Sequence, residues 1–259
     1  ELCNALLTDR SRVVLIDNTE KPYLKARNVP EGCKIITLGF NSGIAHAQNV
    51  GIDSALASGA DAVAFFDQDS RISTDLLTLL VSALDPSATE IVSPRCFDVD
   101  TDAELPSLRL DRCGFARRVH WDASAPEYHM DVVISSGTVA TKSVFEVAGK
   151  LDESLFIDFV DTEWCLRCRS KEVPIRVIPA ALMRHRIGSQ SIDLGLIALL
   201  VHSPVRCYYQ IRNCFHLLRK QHVPRLFALR EVLSTCTSRL LLLLFVSDRR
   251  RYGRAYWYA

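Results

Sequence analysis

Short apolar runs alternate along this chain with stretches of helical spacing. Strands are predicted over 12–16, 34–38, 62–66, 91–94, 132–134 and 174–179. Helices are predicted from a cap at Asn41 and Ser42 to about Ser58, over 71–84, and from Asp161 onward. Small residues recur every three or four positions in the first helix, as expected for close packing on a sheet. Strands that alternate with helices predict an α/β fold with a mixed, mainly parallel sheet flanked by helices.

Two regions depart from this alternation. Residues 95–130 are polar and irregular, which predicts a hairpin or a flexible loop over a site. A helix is predicted after Pro204. Its apolar residues at helical spacing are Tyr208, Ile211, Phe215 and Leu218. We therefore divide the chain into a domain at 1–204 and a helical, basic extension at 205–259.

The balance of charge supports this division. The chain has 259 residues, 48% of them hydrophobic, which is enough for one sizeable core, and its net charge is +1. Residues 205–259 contain eleven Lys or Arg residues against Glu231 and Asp248, so the rest of the chain is acidic. A basic extension is expected to meet an anionic partner such as a phosphorylated lipid or a membrane surface, although a solvated basic helix gives the same pattern. The longest apolar run, 240–246, is too short to cross a bilayer.

The nine cysteines are scattered and show no recurring short spacing, which favours a reducing compartment. Cys165 and Cys168 form one C-x-x-C, which indicates buried free thiols more readily than a redox or metal site. Since no signal peptide opens the sequence, a cytoplasmic location is expected. Peripheral association with the cytoplasmic face of the inner membrane is compatible with that location.

Two carboxylates directly follow the strand predicted over 62–66. Asp67 and Asp69 are separated by one residue and would lie at the carboxyl end of the sheet, where α/β folds bind their ligands. Their oxygens suit Mg²⁺ or Mn²⁺ and leave room for phosphate oxygens. The same spacing also arises by chance in surface loops and in N-caps, so it needs support from elsewhere in the chain.

A second acidic segment lies later in the chain. Its five carboxylates, within twelve residues, are Asp152, Glu153, Asp158, Asp161 and Glu163. Such crowding needs relief by a cation, a substrate hydroxyl or an Arg, and it moves pKa values toward the range of a general base. Asp161 would lie near a helix N-terminus, where negative charge is favoured, and N-capping alone would also explain it.

Two further segments carry candidate chemistry. His185 lies beside Arg184 and Arg186, where a phosphate or metal role competes with a purely structural hydrogen bond. The segment 132–138 breaks into small hydroxyl residues and Gly137, which lets a sugar approach the backbone closely.

Taken in order, these residues resemble the inverting family 2 glycosyltransferases of the GT-A fold. Within that family they are most similar to the bacterial rhamnosyltransferases that build O-antigen and related surface polysaccharides. The resemblance covers nearly the whole chain through Asp17-Asn18, Asn41–Ala45, Gln48–Ile52, Asp67–Ser70, Ile134–Gly137, Leu155–Trp164, His185 with Gly188, and Arg206–Asn213. The Asp-Gln-Asp-Ser, Phe-Ile-Asp and Arg-x-Tyr-Tyr-x-x-Arg-Asn segments point to the rhamnosyl branch.

The resemblance implies a donor site for a nucleotide sugar, with dTDP-L-rhamnose as the expected donor. Asp69, Asp67 and His185 would hold Mg²⁺ or Mn²⁺ against the diphosphate, which offsets the charge on the leaving group. The remaining donor-binding residues implied are Asp17, Asn41, Asn49, Ser136 and Gly137, with Asp67 shared between the two sets.

The resemblance also implies an acceptor side. Asp161 would take the proton from the acceptor hydroxyl as it attacks the anomeric carbon with inversion. Residues expected to bind the acceptor or support Asp161 are Asp158, Glu163, Trp164, Arg206 and Arg212. The acceptor is expected to be a saccharide, often polyprenyl-diphosphate-linked in the family. A peripheral membrane helix, a helix packed on the core, or a homodimer contact each explains the extension, and no nucleic acid is expected.

One departure and two alternatives accompany this interpretation. Residues 1–7 resemble the helix that follows the first strand of family members, so that strand is expected to be missing, and adding one strand should raise thermal stability. A family 2 enzyme with a UDP-hexose or UDP-galactofuranose donor would keep the same metal site and base. An inactive, truncated remnant would tolerate Asp161→Asn without loss of function.

Overall fold

The computed structural model of the protein describes residues 2–8, 11–24, 29–105, 107–119, 125–185, 190–193 and 198–259. Its strands are β1 (Val13–Asp17), β2 (Cys33–Thr37), β3 (Ala62–Ala64), β4 (Arg71–Ile72), β5 (Ile91–Asp98), β6 (Leu108–Leu110), β7 (Ala116–Arg118), β8 (Tyr128–Met130), β9 (Val139–Thr141), β10 (Ile175–His185), β11 (Gln190–Asp193) and β12 (Ala198–Val201). Its helices are α1 (Leu2–Leu6), α2 (Ile44–Ala57), α3 (Leu76–Ala83), α4 (Lys142–Val147), α5 (Val160–Ser170), α6 (Pro204–Arg219), α7 (Arg225–Phe245) and α8 (Arg249–Tyr258). The predicted α/β class is confirmed.

Strands β1 and β2 pair in parallel, although no helix was predicted between them, and β3, which follows α2, lies in the larger sheet instead. Helix α2 follows and packs on this pair because a small residue allows close approach: a Cβ on Gly51 would lie 3.6 Å from Ile16. The helix begins at Ile44 with Gly43 as its N-cap, so the cap predicted at Asn41 and Ser42 is placed too early. Asn41 still contributes, since its Oδ1 accepts a hydrogen bond from the Gly43 N–H at 3.1 Å.

The larger sheet has six strands. Its order is β3-β9-β5-β10-β4, and β8 also pairs with β10. The longest ladder joins β5 and β10 in parallel, whereas β9 runs antiparallel to both of its neighbours. Strands β3, β5 and β10 therefore point the same way, and their carboxyl ends meet at one edge of the sheet.

Strand β10 runs further than predicted. Pro179 indicated an end because proline removes a ladder donor, but the strand passes it through a bulge between Ile178 and Leu182 and continues to His185. Its partner β5 likewise continues beyond Pro94 to Asp98. These extensions carry His185 to the edge where β3 ends.

Two other element predictions are wrong. The helix predicted over 71–84 begins only at Leu76, because Arg71 and Ile72 pair with the far end of β10 as β4. The strand predicted over 132–134 is a loop that makes a single bridge, between Val132 and Leu108, and the regular strand starts at Val139. The irregular stretch 95–130 does contain a hairpin, formed by β6 and β7.

The main core lies between the six-stranded sheet and its helices, and the C-terminal extension contributes to it. Trp164 of α5 packs with Phe145 and Phe65 at ring-centroid distances of 5.7 and 6.0 Å. The residues from beyond position 204 that are buried in the same core are Leu217, Val223, Phe227 and Ala228. Helix α6 and the start of α7 are thus packed on the domain formed by the preceding residues. The domain boundary predicted after residue 204 stays a prediction.

Among the described residues, no helix has both the length and the apolar character needed to cross a membrane.

Candidate active site

Three predicted metal ligands meet at the carboxyl edge of the larger sheet. Asp67 and Asp69 lie in the loop after β3, and His185 is the last residue of β10. The imidazole Nε2 lies 3.7 Å from Asp67 Oδ2, and Nδ1 lies 3.6 Å from Asp69 Oδ1. One ligand atom from each residue falls within 4.8 Å of the others.

The donor set of this cluster fits a divalent cation. His185 Nδ1 is buried and has no hydrogen-bond partner among the described residues, although two carboxylates lie close to it. A buried polar atom without a partner is costly, and an ion between these groups would satisfy it. Two carboxylate oxygens and one imidazole nitrogen are donors that Mg²⁺ or Mn²⁺ accepts, while the exposed Asp69 leaves the site open to an anionic ligand.

Ser136 holds the loop that carries the two carboxylates. Its Oγ accepts a hydrogen bond from the Asp67 N–H at 3.1 Å and lies 2.7 Å from the Ser70 hydroxyl. Both serines are buried. Ser136 is therefore positioned beside the candidate metal ligands, and its contacts indicate that it orients Asp67.

Gly137 allows the tight turn that follows Ser136. Its φ is 82°, and a Cβ there would lie 2.7 Å from Pro94 and 2.9 Å from Met183. The Gly137 N–H donates to the Phe65 carbonyl at 2.6 Å, which joins the turn to the end of β3. A residue with a side chain would strain both the backbone and the packing at this point.

Four of the five clustered carboxylates have a basic partner. Asp152 is paired with Lys220, Glu153 with His46, Asp158 with Arg206, and Glu163 with Arg167 and His222. Within the described part of the chain, Asp161 forms no such ion pair. Its Oδ1 accepts a hydrogen bond from the Thr162 N–H at 2.8 Å, in the first turn of α5.

The electrostatic setting of Asp161 suits a general base. Burial raises the pKa of Asp161, and the charges of Asp158 and Asp67 raise it further, against the lowering by the Thr162 N–H. A carboxylate with a raised pKa holds an abstracted proton more readily than an ordinary one. Asp67, whose charge acts on Asp161, is itself one of the three candidate metal ligands.

The segment before Asp161 has a strained backbone. Phe156, Asp158 and Phe159 all have φ values between 62° and 63°, a region that residues with side chains rarely adopt. Helix α6 holds this segment: Arg206 binds the Asp158 carboxylate, and the Asn213 Nδ2 donates to the carbonyls of residues 155, 157 and 158 at 2.8, 2.8 and 3.0 Å.

Aromatic and backbone contacts complete the support. Tyr209 of α6 stacks on Phe156 with a ring-centroid distance of 4.6 Å, and the Arg212 guanidinium lies 4.7 Å from the Tyr209 ring centroid. On the other side, the Ile44 N–H donates to the Phe156 carbonyl at 2.7 Å, and a Cβ on Gly43 would lie 2.6 Å from the Phe156 ring. The start of α2 and the strained segment are therefore in direct contact.

Asp17 lies at the carboxyl end of β1, where donor binding was predicted. Its oxygens accept hydrogen bonds from the backbone N–H groups of Tyr23 and Leu24 at 2.7 and 2.9 Å, and from the Thr19 hydroxyl at 2.6 Å. The Leu24 and Thr19 hydrogen bonds are the main reason that the pKa of Asp17 is lowered. Asp17 is thus buried and shapes the following loop.

Asn18 links this loop to the start of α2. Its Oδ1 accepts from the Ser42 N–H at 2.8 Å, and its Nδ2 donates to the Gly43 carbonyl at 3.1 Å. Asn41 lies beside it, with its Oδ1 3.4 Å from the Asn18 Nδ2. The sequence pointed to Asn18 only as part of a motif. No local sequence signal distinguishes an asparagine that holds two loops together from one that binds a substrate.

Three predicted site residues are turned into the protein interior. Asn49 uses its side chain to bind the Leu151 backbone, through Nδ2 to the carbonyl at 2.9 Å and Oδ1 from the N–H at 3.0 Å. The Trp164 indole donates to the Gly149 carbonyl at 2.9 Å, and Glu163 is buried between Arg167 and His222. These contacts favour support of the active-site segment over direct contact with donor or acceptor. Gly188, the last residue of the His185 motif, lies outside the described residues.

The C-x-x-C is a pair of buried free thiols, as predicted. Cys165 and Cys168 are both buried in α5, and all nine cysteines are free. Burial raises the pKa of Cys168 to about 12, so neither nucleophilic nor metal chemistry is favoured there.

Comparisons with known proteins identify the family. The family described as Glycosyl transferase family 2 matches residues 5–131. Over 254 residues the chain is 39% identical to the dTDP-rhamnosyl transferase RfbF of Shigella flexneri, and the match covers 96% of this chain and 86% of that protein.

Solved structures show the same fold at low sequence identity. S. aureus TarS has a TM-score of 0.56 at 15% identity, covering 98% of this chain and 44% of its own. GalNAc-T7, solved with UDP, GalNAc and Mn²⁺, has a TM-score of 0.54 at 16% identity, covering 68% of this chain and 37% of its own. This chain therefore spans less than half the length of either structure. From its sequence identity, fold and site, the chain belongs to glycosyltransferase family 2, as a glycosyltransferase of the GT-A fold.

Proposed function

We propose that this enzyme transfers L-rhamnose from dTDP-L-rhamnose to a hydroxyl of a saccharide, with inversion, in the synthesis of a surface polysaccharide. The environment of Asp161 carries the proposal: it is a carboxylate with a raised pKa, near a cluster of candidate metal ligands and without an ion-pair partner in the described residues. The donor is inferred from the 39% identity to a dTDP-rhamnosyl transferase.

In this mechanism different residues bind the metal, accept the proton and position the base. Asp67, Asp69 and His185 would hold Mg²⁺ or Mn²⁺, which supplies positive charge where the leaving diphosphate becomes more negative. Asp161 accepts the proton of the acceptor hydroxyl. Arg206 and the strained backbone hold Asp161 in position, which lowers the cost of orienting the reacting groups.

Calorimetric titration of the donor tests the proposal. We expect dTDP-L-rhamnose to bind more tightly than a panel of UDP-sugars, and only with Mg²⁺ or Mn²⁺ present. Asp69→Ala should abolish this metal-dependent binding, whereas Asp75→Ala, an exposed carboxylate outside the cluster, should leave it unchanged. A preference for a UDP-sugar would contradict the rhamnosyl donor, and equal binding without metal would contradict the metal site.

We also propose that helix α7 rests on an anionic membrane surface. Five exposed leucines follow one side of the helix at spacings of three, four, seven and four residues, and they are Leu226, Leu229, Leu233, Leu240 and Leu244. Helices α7 and α8 also carry six exposed arginines, which are Arg225, Arg230, Arg249, Arg250, Arg251 and Arg254. An apolar stripe with basic residues around it is the composition of a helix that lies in a membrane interface.

Liposome flotation checks this membrane contact. The protein should float with vesicles that contain anionic lipid and remain in the dense fraction with neutral vesicles. Leu229→Ser with Leu233→Ser should abolish flotation, and Ser247→Ala, which lies outside the leucine stripe, should not. Loss of a homodimer in the leucine variant, without any lipid dependence in the original protein, would assign the stripe to a second copy instead.

A further inference from the structure

A polar cleft opens between the first turn of α5 and the middle of α7. Its volume is about 320 Å³, and it is lined by Asp158, Phe159, Thr162, Gln210, Ser234, Thr235, Ser238 and Arg239. None of these residues is a metal ligand in the cluster described above. Seven of the eight carry hydroxyl, amide or charged groups, and Phe159 and Asp158 belong to the strained segment before Asp161.

Two of the residues that line this cleft carry a buried polar atom without a hydrogen-bond partner in the described part of the chain. Arg239 is 8% exposed, and its Nε has no hydrogen-bond partner among the described residues, although its Nη1 donates to the Leu200 carbonyl at 3.2 Å. The Oε1 of Gln210 is buried and likewise unpartnered within that part of the chain. Leaving a buried donor and a buried acceptor unsatisfied is costly, so a ligand that satisfies both would be favoured.

The chemistry of the lining matches a sugar. Each hydroxyl of a saccharide both donates and accepts hydrogen bonds, and the cleft offers a donor at Arg239, an acceptor at Gln210 and hydroxyls that can do either. The Ser238 Oγ already donates to the Thr235 carbonyl at 3.0 Å, so it is free to accept.

The cleft also borders the segment that carries Asp161. Asp158, Phe159 and Thr162 line it, and Asp161 lies between Phe159 and Thr162 in the chain. A ligand in the cleft would therefore lie against the residues that flank Asp161 in sequence.

We propose that this cleft binds a non-reacting sugar ring of the acceptor saccharide. The inference rests on the proposed transferase function and adds a location for the acceptor. Gln210 and Arg239 recognise hydroxyls of that ring, the serine and threonine side chains line it, and the next ring presents its hydroxyl to Asp161.

Saturation-transfer NMR tests the assignment with the methyl glycosides of L-rhamnose, D-galactose, D-glucose and N-acetyl-D-glucosamine as probes, in the presence of dTDP and Mg²⁺. At least one glycoside should bind the original protein. Ser238→Phe fills the cleft and Gln210→Ala removes an unpartnered acceptor, so each should weaken binding about tenfold or more, whereas Thr237→Phe, on the exposed side of α7, should not.

Donor binding in the same samples separates the two proposals. Calorimetry with dTDP-L-rhamnose should give unchanged affinity in all three variants, because none of the substituted residues belongs to the metal cluster. Glycoside binding that is absent, or that survives both Ser238→Phe and Gln210→Ala while the donor still binds, would overturn the acceptor cleft and leave the proposed function standing. Loss of donor binding in the original protein would count against the proposed function itself.

Discussion

Arg206 donates three hydrogen bonds to the Asp158 carboxylate, at 2.9, 3.0 and 3.1 Å. This contact joins α6 to the segment with left-handed backbone that leads into Asp161. A residue in that conformation costs of order 1–3 kcal/mol and persists only where its surroundings hold it. The pair therefore keeps the candidate base in place from a helix that lies almost fifty residues further along the chain.

Removing this contact should impair turnover more than stability. Arg206→Met is expected to lower kcat about 10- to 100-fold, because a small displacement of the base disrupts the alignment of reacting groups. The free energy of unfolding should fall by less than about 2 kcal/mol, since the Arg206 side chain is 38% exposed and water screens the pair. Steady-state kinetics and urea unfolding would check both values. Arg219→Met, at the exposed end of the same helix, is the control, and equal kcat in the two variants would contradict the prediction.

Asp161→Asn should remove the base and leave the donor site intact. We expect kcat to fall by about 10²- to 10⁴-fold, the usual contribution of a positioned general base, with little change in donor affinity. Transfer assays paired with calorimetric donor titration would measure the two effects. Asp53→Asn, a surface carboxylate paired with Lys150, should behave as the original protein. Full activity of Asp161→Asn would favour a different base, whereas no transfer by the original protein would favour an inactive remnant.

The pH profile of kcat should report the same group. Burial raises the pKa of Asp161, and the base works only when ionised, so activity should fall as the pH drops through that raised pKa. The acidic limb should therefore lie above pH 3.8, the ordinary value for an aspartate. Rates measured at saturating donor and metal would define it, and a rate that stays constant down to about pH 4 would contradict a raised pKa.

A side chain at Gly137 should destabilise the fold for two reasons, backbone strain and steric crowding. Gly59, which has a similar φ, allows the two contributions to be measured separately. Gly137 and Gly59 have φ values of 82° and 83°, but a Cβ on Gly59 meets nothing within 4 Å. Alanine at Gly59 should therefore cost only the backbone strain of about 1–2 kcal/mol. Alanine at Gly137 should cost about 1–3 kcal/mol more, because it also crowds Pro94 and Met183. Urea denaturation of both variants tests this, and equal losses would show that crowding contributes nothing.

The Asp152–Lys220 pair should make stability depend on pH. Burial raises the pKa of Asp152, but hydrogen bonds from Lys220 and Ser154 outweigh it and bring the pKa to about 2, below the ordinary 3.8. A lowered pKa stabilises the fold above the ordinary value and loses this contribution as the pH falls toward 2.

Asp152→Asn should therefore unfold more easily than the original protein near neutral pH, and the difference should shrink below about pH 4. Unfolding by urea at several pH values would measure it. Lys220→Met should show the same pattern, while Asp53→Asn should show little effect because that pair is exposed. A difference that stays constant with pH would mean that packing, and not this ion pair, accounts for the loss.

Much of the site could be predicted from local patterns. The strand before Asp67 and Asp69 was visible as an apolar run, and its end placed the carboxylates at the ligand-binding edge. His185 joined them because its segment also reads as a strand. The start of α5 placed Asp161 in a first turn, and helical spacing identified α6 after Pro204.

The rest depends on contacts between distant parts of the chain. No local pattern tells that Lys220 and His222 pair with Asp152 and Glu163, or that Asn213 binds three carbonyls of the strained segment. The length of β10 was missed because Pro179 normally ends a strand, and only the pairing with β5 carries it through the bulge. The same long-range pairing, through β4, displaced the start of α3.

Gly43 and Phe156 join the two sides of the proposed reaction. A Cβ on Gly43 would lie 2.6 Å from the Phe156 ring, and the Ile44 N–H donates to the Phe156 carbonyl. Under the proposed function, the loop before α2 carries Asn41 on the nucleotide side, and Phe156 begins the segment that leads to Asp161 on the acceptor side. Because the two segments touch, we expect a displacement of the loop on donor binding to move the segment before the proposed base, and a side chain at Gly43 to force the two segments apart.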